Sequence, residues 1–159
     1  HVPDTDLALW EEHLRQAIES DESIPSTERE ALVIAQRGQG RFRENVQAVE
    51  RFCRVTQVDR PEHLRASHCK PWRDCTNEER LDGENGLLLT PSIDHVFDRG
   101  FISFGDEGRL LISPVAHRPS LVRMGVAVDR PIDVGGFTRR QQEYLEYHRD
   151  AVFLRAQVQ

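Results

Sequence analysis

The stretch TPSIDHVFDRG, residues 90–100, places polar side chains among apolar ones at helical spacing. On a helical wheel of about 100° per residue the apolar residues share one face, and His95 and Asp98 fall together on the opposite face. A neutral imidazole beside a carboxylate suits a divalent cation, because one supplies nitrogen and the other supplies charge. Asp94 lies at the edge of this polar group. A plain surface hydrogen bond between the two side chains is the alternative interpretation.

Two further polar residues precede this helix in the chain. His68 lies near the end of the candidate strand LRASHC, and Asn85 lies at the start of the next candidate strand. Each also has a purely structural interpretation. His68 could be a buried strand histidine satisfied by backbone groups, and Asn85 could be the asparagine of an Asn-Gly turn. Taken together with His95, the three residues form a candidate site.

The local elements that would position these residues are short. Residues 64–69 are interpreted as a strand that Pro71 ends, and residues 87–89 predict a second, buried strand. Thr90 is a candidate N-cap, and Pro91 occupies the first helical position, where its missing N–H costs nothing. The helix that begins there is expected to run to about Arg99.

The segment after this helix predicts more structure. The sequence FISFGDEGRLLIS predicts a β-hairpin that turns at residues 105–108, where glycine and aspartate cluster. Residues 114–136 carry scattered proline and glycine, and they are expected to be irregular. A final helix is expected over residues 138–154.

The chain before the candidate site predicts helices. Residues 5–20 have apolar side chains at helical spacing, and Thr27 begins a capping box for a second helix. A third helix is expected over residues 42–52. These patterns predict a helical N-terminal segment, residues 1–52, packed on a core formed by residues 53–159.

Length and composition are those of an ordinary domain. The chain has 159 residues, of which 38% are hydrophobic, enough for one domain with a core. No run of 18 apolar residues occurs, so a protein of the cytoplasm with no membrane partner is expected. The chain begins at His1, and an upstream recognition domain in a longer protein is therefore a further expectation.

Charge is unevenly distributed along the chain. The formal net charge is −6, yet residues 35–73 hold nine basic residues against four acidic ones. Phosphate binding requires local positive charge rather than a basic whole protein. A solvated face on which these arginines pair with acids is the alternative interpretation.

Four pieces of the chain resemble a known family when they are taken in order: CRVT, LRASHCKPW, ERLDGENGLLL and DHVFDRGFIS. They resemble the HNH endonucleases, and in particular a subgroup common in bacterial restriction and defence nucleases. The resemblance implies an α+β fold with a ββα-metal (HNH) core, N-terminal helices, a β-hairpin and a C-terminal helix.

The resemblance also implies roles for individual residues. It makes His68 the general base that takes a proton from the attacking water, and Asn85 the residue that orients this base. It makes His95 and Asp98 ligands of one divalent cation. Mg²⁺ or Mn²⁺ is the expected ion, and Zn²⁺ or Ni²⁺ is the alternative.

One position departs from the family pattern. Many family members carry a metal-binding Asp, Glu or His directly before the base, where this chain has Ser67, a poor ligand. The ligand set therefore stays open, with Asp94 as a further candidate. Trp72, which follows Pro71, is expected to pack within the protein rather than to stack on a nucleobase. Candidates for phosphate contact are Lys70, Arg73, Arg99, Arg65, Arg41 and Arg43.

The function expected from this resemblance is a metal-dependent DNA endonuclease, the cleavage domain of a restriction or defence enzyme. Cutting both strands commonly needs two active sites, so a homodimer fits this activity. The main alternative, suggested by Ser67, is a module that binds DNA or reads modified DNA through a decayed HNH site. A structural partner domain without chemistry is the third alternative.

Overall fold

A computed structural model of the chain describes residues 40–155, and the helices expected at 5–20 and after Thr27 lie outside the described residues. The described part begins with a helix, α1, over residues 40–47. The prediction that this helix extends to residue 52 is wrong, because the chain turns at 48–49 and enters a loop. Among the described residues no helix is long and apolar enough to cross a membrane.

Two antiparallel strands form the centre of the fold. Strand β1 (Arg65–His68) pairs with β2 (Gly86–Leu89), and in this register His68 lies opposite Gly86. Every residue of β2 is buried, as its run of leucines predicts. The last residue of β1, His68, therefore lies at the end of the ladder.

The connection between these strands contains a short helix between two 3-10 turns. The turns are Trp72–Asp74 and Gly83–Asn85, and the helix is α2 (Asn77–Leu81). A full capping box begins α2, since Thr76 accepts a hydrogen bond from the Glu79 N–H and the Glu79 side chain accepts one from the Thr76 N–H. Asn85 ends a 3-10 turn rather than a hairpin turn, so the Asn-Gly hairpin interpretation of this residue does not apply.

Helix α3 (Pro91–Asp98) follows β2 and completes a strand-strand-helix unit. Its buried residues are Ile93, Val96 and Phe97, which are the three that form the apolar face of the wheel. Thr90 stands at the N-cap position as predicted, although its side chain makes no capping hydrogen bond.

The remainder of the described chain packs around this unit. A hairpin of β3 (Ile102–Phe104) and β4 (Leu110–Ile112) confirms the predicted turn. Helix α4 (Arg118–Arg123) lies in the region expected to be irregular, and its proline is tolerated because it falls in the first turn. Helix α5 (Arg139–Ala151) ends a few residues before the predicted limit. The α+β fold class is confirmed.

One apolar core joins these elements. Phe42 and Val46 of α1 are fully buried in the same cluster as the β2 leucines and Phe97. Gly86 makes this approach possible, because a Cβ atom on it would lie 2.5 Å from Val46 Cγ2 and 2.7 Å from Phe42 Cζ. Any side chain at position 86 would therefore push α1 away from the strands.

A buried ion pair fastens the loop after α1 to the C-terminal part of the chain. Glu50 is 4% exposed, and it bonds Arg54 through both carboxylate oxygens at 2.6 and 2.9 Å. Arg54 also donates to the carbonyl oxygens of residues 134–136, and it stacks on Phe137 at 4.1 Å. Gln141 donates to the same carboxylate at 3.3 Å. Because the charge is paired and bonded on several sides, its burial is tolerated.

Candidate active site

A pocket of about 490 Å³ opens at the end of β1. It is lined by residues 66–68 of β1, residues 71–73 of the following turn, and Asp94 and Asp98 of α3. Two carboxylates on a helix thus face an imidazole at a strand end across one cavity. The strand-strand-helix packing that produces this arrangement follows from the apolar faces of β2 and α3.

The hydrogen bond of His68 defines its tautomer. Its Nε2 lies 2.9 Å from the carbonyl oxygen of Arg80. Because a carbonyl oxygen only accepts, the proton of the neutral ring must lie on Nε2, which leaves a bare lone pair on Nδ1. His68 lines the pocket, and its ring carries a nitrogen that can accept a proton.

The ring of His68 is also held from one side by an aromatic ring. Phe42 stacks on it with 3.6 Å between centroids and 4° between planes. Burial lowers the pKa of His68 from its ordinary value, and this effect outweighs the opposing effect of the hydrogen bond to Arg80. The imidazole is consequently neutral near pH 7, the state that a general base requires.

Asn85 is fully buried, and all its side-chain hydrogen bonds go to groups other than His68. Its Oδ1 accepts from the Lys70 N–H at 2.9 Å, and its Nδ2 donates to the Glu79 carbonyl at 3.0 Å. Nδ2 also donates to the Cys75 sulfur at 3.3 Å. Asn85 thus ties the chain just after β1 to the end of α2, one residue before the carbonyl that holds His68.

The polar side of α3 differs in one respect from the expected ligand pair. Asp98 lines the pocket, but His95 is exposed and is not among the lining residues. Asp94, four residues before Asp98, does line it. Residues four apart stand one above the other on a helix, so the two carboxylates share one face. The i, i+4 spacing was the sequence signal for this pair.

Ser67 has a partner in the pocket. Its hydroxyl donates a short hydrogen bond to Asp94 Oδ1, and the guanidinium of Arg65 lies 3.7 Å from the other carboxylate oxygen. Both contacts come from β1 and hold the carboxylate of Asp94 against the strand. Ser67, at the position where many family members carry a metal ligand, thus contacts the carboxylate of Asp94.

The donor set limits which cation the site could hold. Within residues 40–155 no three or more His, Cys, Asp or Glu side chains are gathered as metal ligands. Structural and catalytic zinc sites use at least three protein ligands, commonly with nitrogen or sulfur. Mg²⁺ commonly takes one or two carboxylates and fills its shell with water and phosphate oxygens. The pair of Asp94 and Asp98 fits the second pattern.

The six basic candidates for phosphate contact lie in different surroundings. Arg73 is highly exposed and lines the pocket. The side chains of Arg65, Arg99 and Arg41 are also exposed.

Lys70 and Arg43 make internal contacts instead. Lys70 forms an ion pair with both carboxylate oxygens of Glu79 at 3.0 Å, and its pKa is raised chiefly by that hydrogen bond. Arg43 donates to the backbone carbonyls of Pro61 and Leu64, each at 2.6 Å. Both residues hold backbone near the strands in place.

Helix α5 supports the loop that carries Asn85. Arg140 forms an ion pair with Asp82, and the Tyr144 hydroxyl donates to the same carboxylate at 2.8 Å. These bonds lower the pKa of Asp82 although its burial acts in the opposite direction. Tyr147 donates to Asp74 at 3.0 Å. Both 3-10 turns of the connection are therefore fastened to one helix.

Three contributors to the site were missed by sequence reasoning. The carbonyl of Arg80 is invisible in a side-chain pattern, and Phe42 was recognised only as a buried helix residue. Glu79 carried a signal, since Thr76 and Glu79 have the spacing of a capping box. Its second role, pairing with Lys70, depends on the fold.

Comparison with known proteins agrees with this arrangement. The sequence model of the HNH endonuclease family matches residues 53–105, which contain β1, α2, β2 and α3. The resemblance seen in the four sequence pieces is confirmed over this segment. Among curated proteins, none matches the chain. Nucleases of this family generally use a divalent metal ion.

Proposed function

Because residues 53–105 belong to the HNH endonuclease family, we propose that the chain is a metal-dependent DNA endonuclease that hydrolyses phosphodiester bonds. One observation carries the proposal. His68, whose Nδ1 carries no proton, lines the same pocket as Asp94 and Asp98. A base and two carboxylates around one cavity are the groups needed to activate water beside a phosphate.

His68 acts as the general base in this proposal. Nδ1 takes a proton from the water that attacks phosphorus, and the ring becomes an imidazolium. The Arg80 carbonyl, which already accepts from Nε2, stabilises the positive ring once it forms. Phe42 stacks on the ring and limits its rotation, which keeps His68 in place in the pocket lining.

Asp94 and Asp98 hold the divalent cation, Mg²⁺ or Mn²⁺, which supplies positive charge for the phosphate oxygens when bound. Ser67 and Arg65 orient Asp94 through their contacts with its carboxylate. This assignment replaces His95 by Asp94 in the expected ligand pair and keeps Asp98. His95 remains the competing ligand, and the two assignments are separated by substitution.

Exposed arginines are proposed to contact the DNA backbone. Arg73 lines the pocket, and the side chains of Arg65, Arg99 and Arg41 are exposed. Such contacts position a nuclease on the phosphate chain without reading sequence. Lys70 and Arg43 are proposed to act indirectly, through the backbone that they hold.

A restriction or defence role, a homodimer and an upstream recognition domain are compatible with this activity. The subgroup resemblance supports the first, and the need for two cuts in duplex DNA supports the second. The second candidate function is a module that binds DNA, or reads modified DNA, through a decayed site. It is favoured by Ser67, whose hydroxyl bonds Asp94 where a ligand would otherwise stand.

The test is cleavage of supercoiled plasmid in Mg²⁺ or Mn²⁺ by the wild type, His68→Ala and His63→Ala. His63 is an exposed histidine in the 3-10 turn before β1, so it controls for loss of an imidazole nearby. Loss of the general base should reduce the rate by about 10²–10⁴-fold, and His63→Ala should match the wild type.

Two results would contradict the endonuclease proposal. One is equal cleavage by His68→Ala and the wild type, and the other is no cleavage of any DNA by the wild type with either metal. In the second case, retention of DNA in a gel-shift assay would favour the binding module.

A further inference from the structure

Trp72 is exposed at the mouth of the candidate active site. Its side chain is 49% exposed and lines the same pocket as His68. Of the large hydrophobic residues exposed within the described chain, it is the one that lines this pocket. The sequence favoured a packing role for Trp72, but a packing residue would be buried. An aromatic ring kept open to solvent in a pocket indicates a ligand surface.

The indole is held by a neighbour outside the pocket. The guanidinium of Arg80 lies 3.8 Å from the ring centroid, and its Nε donates to the Trp72 carbonyl at 3.0 Å. A second nitrogen of the guanidinium lies 3.3 Å from Asn77 Oδ1. Arg80 is absent from the pocket lining. It therefore supports one face of the ring, while Trp72 stays 49% exposed and part of the pocket lining.

Arg80 also joins this ring to the general base. Its carbonyl accepts the hydrogen bond from His68 Nε2, and its side chain stacks on Trp72. One residue of α2 thus fixes both the imidazole and the indole. A group stacked on Trp72 would stand in a constant position relative to Nδ1 of His68.

The remaining walls of the pocket define the class of that group. Arg73 follows Trp72 in the chain and can meet a phosphate, whereas Asp94 and Asp98, which also line the pocket, disfavour bare anions. A flat, weakly charged group attached to a phosphate fits both walls. In nucleic acids that group is the base, and aromatic side chains stack on every type of base.

We propose that Trp72 is a stacking platform for one unpaired nucleobase next to the phosphate that is cut. The base must lie outside the helical stack and hence be unpaired, because both of its faces are covered by neighbouring bases inside a continuous duplex. This inference rests on the proposed endonuclease function and names a substrate feature of the same site. DNA that is single-stranded, frayed or locally opened at the cut is the preferred substrate.

The test is an abasic scan of single-stranded DNA binding in EDTA, where no cleavage interferes. A fluorescein-labelled oligonucleotide of mixed sequence, about six nucleotides long so that few binding registers are open to it, carries one abasic position that is moved along the strand, and binding is read by fluorescence anisotropy. The full chain is compared with Trp72→Leu, Trp72→Phe and the matched control Phe52→Leu. Phe52 is 38% exposed and does not line the pocket.

The wild type should bind about 5- to 150-fold more weakly when the abasic position removes the stacked base, as expected for loss of one base–aromatic stack. Trp72→Leu should bind the intact strand more weakly by a similar factor and show no such position. Trp72→Phe should still bind more weakly when the base at that one position is removed, and Phe52→Leu should behave as the wild type. Far-UV circular dichroism checks that every variant is folded.

A flat abasic profile in the wild type, equal binding by Trp72→Leu, or no binding of single strands would overturn the inference. Plasmid cleavage by the wild type in Mg²⁺ or Mn²⁺ is measured separately. Cleavage together with a flat abasic profile would reject the stacking role of Trp72 but support the endonuclease function. A Trp72-dependent profile without cleavage would support stacking on Trp72 but reject the endonuclease function.

Discussion

At the scale of single residues, the site depends on which atom of each side chain is already occupied. His68 has Nε2 bonded to a carbonyl and Nδ1 left for chemistry, and burial keeps the pKa of the ring low. Asn85 has both ends of its amide bonded to backbone, so it positions without reacting. Asp94 is held by Ser67, and this contact identifies it as part of the pocket.

The ligand assignment is tested by Asp94→Asn, Asp98→Asn and His95→Ala. Because Asp94 and Asp98 line the pocket and His95 does not, each Asn variant should bind Mn²⁺ at least about 10-fold more weakly. His95→Ala should bind it as the wild type does. Isothermal titration calorimetry with MnCl₂ measures the affinities.

Circular dichroism before each titration serves as the control for folding. If His95→Ala bound Mn²⁺ more weakly and Asp94→Asn bound it as the wild type does, the result would support His95 and Asp98 as the ligands, as the helical wheel predicts.

At the scale of elements, helix α1 contributes to the candidate site although it lies outside the residues that match the family model. Phe42 lies outside the matched residues 53–105, yet it stacks on the candidate base. It reaches His68 because Gly86, directly opposite in the β ladder, has no side chain. The packing of α1 on the two strands therefore controls the environment of the imidazole.

Phe42→Leu should move the acid limb of the pH profile of kcat/KM to higher pH. The base must be neutral to work, and burial holds the pKa of His68 below its ordinary value of 6.5. A smaller cover exposes the ring to water, so its pKa rises towards that value and activity is lost earlier on acidification. Rates of plasmid cleavage across the acidic range measure the shift.

Val46→Ala is the matched control, since it weakens the same helix in the same core but leaves the aromatic stack in place. An acid limb that moved equally in both variants would assign the effect to general loosening of α1. An unchanged limb in Phe42→Leu would show that the stack does not influence the base.

At the scale of the whole described molecule, a second histidine links helix α5 to α3 and β3. His148 of α5 bonds Ser103 at 2.7 Å and the Phe97 carbonyl at 2.8 Å, and it stacks on Phe97 at 3.9 Å. The carbonyl requires a proton on Nε2, so Nδ1 accepts from the Ser103 hydroxyl and the ring is neutral. Burial lowers its pKa to about 4.

The stability of the protein should therefore fall as pH decreases from about 6.5 to about 4. The unfolded state binds a proton on His148 in this range and the folded state does not, so acid favours unfolding. The contribution is fully present above the ordinary histidine pKa. At the acid end the loss amounts to roughly 3 kcal/mol.

Urea unfolding of the wild type and His148→Gln at several pH values measures this loss. Glutamine keeps a donor and an acceptor but does not titrate, so the variant should start less stable and lose less on acidification. Parallel pH dependences in the two proteins would exclude His148 as the source of the acid sensitivity.

Much of the fold could be predicted from local sequence because its elements carry local signals. The leucines of β2, the proline that begins α3 and the glycines of the β3–β4 turn each predict their own element. Helix α4 was missed because its proline suggested irregular structure, although Pro119 lies in the first turn, where proline is compatible with a helix. The end of α1 was missed because Val49 continues the helical spacing of Phe42 and Val46, whereas the chain turns at residues 48–49.

The sequence by itself determined the strand-strand-helix unit, the family, and His68, Asn85 and Asp98 as candidates. The tertiary structure alone decided that Asp94 rather than His95 shares the pocket, that Lys70 is paired, and that Trp72 is exposed. The physical reason is distance along the chain. Periodicity and capping act over one or two turns, whereas the pocket is formed where β1, α3 and the turn after β1 meet.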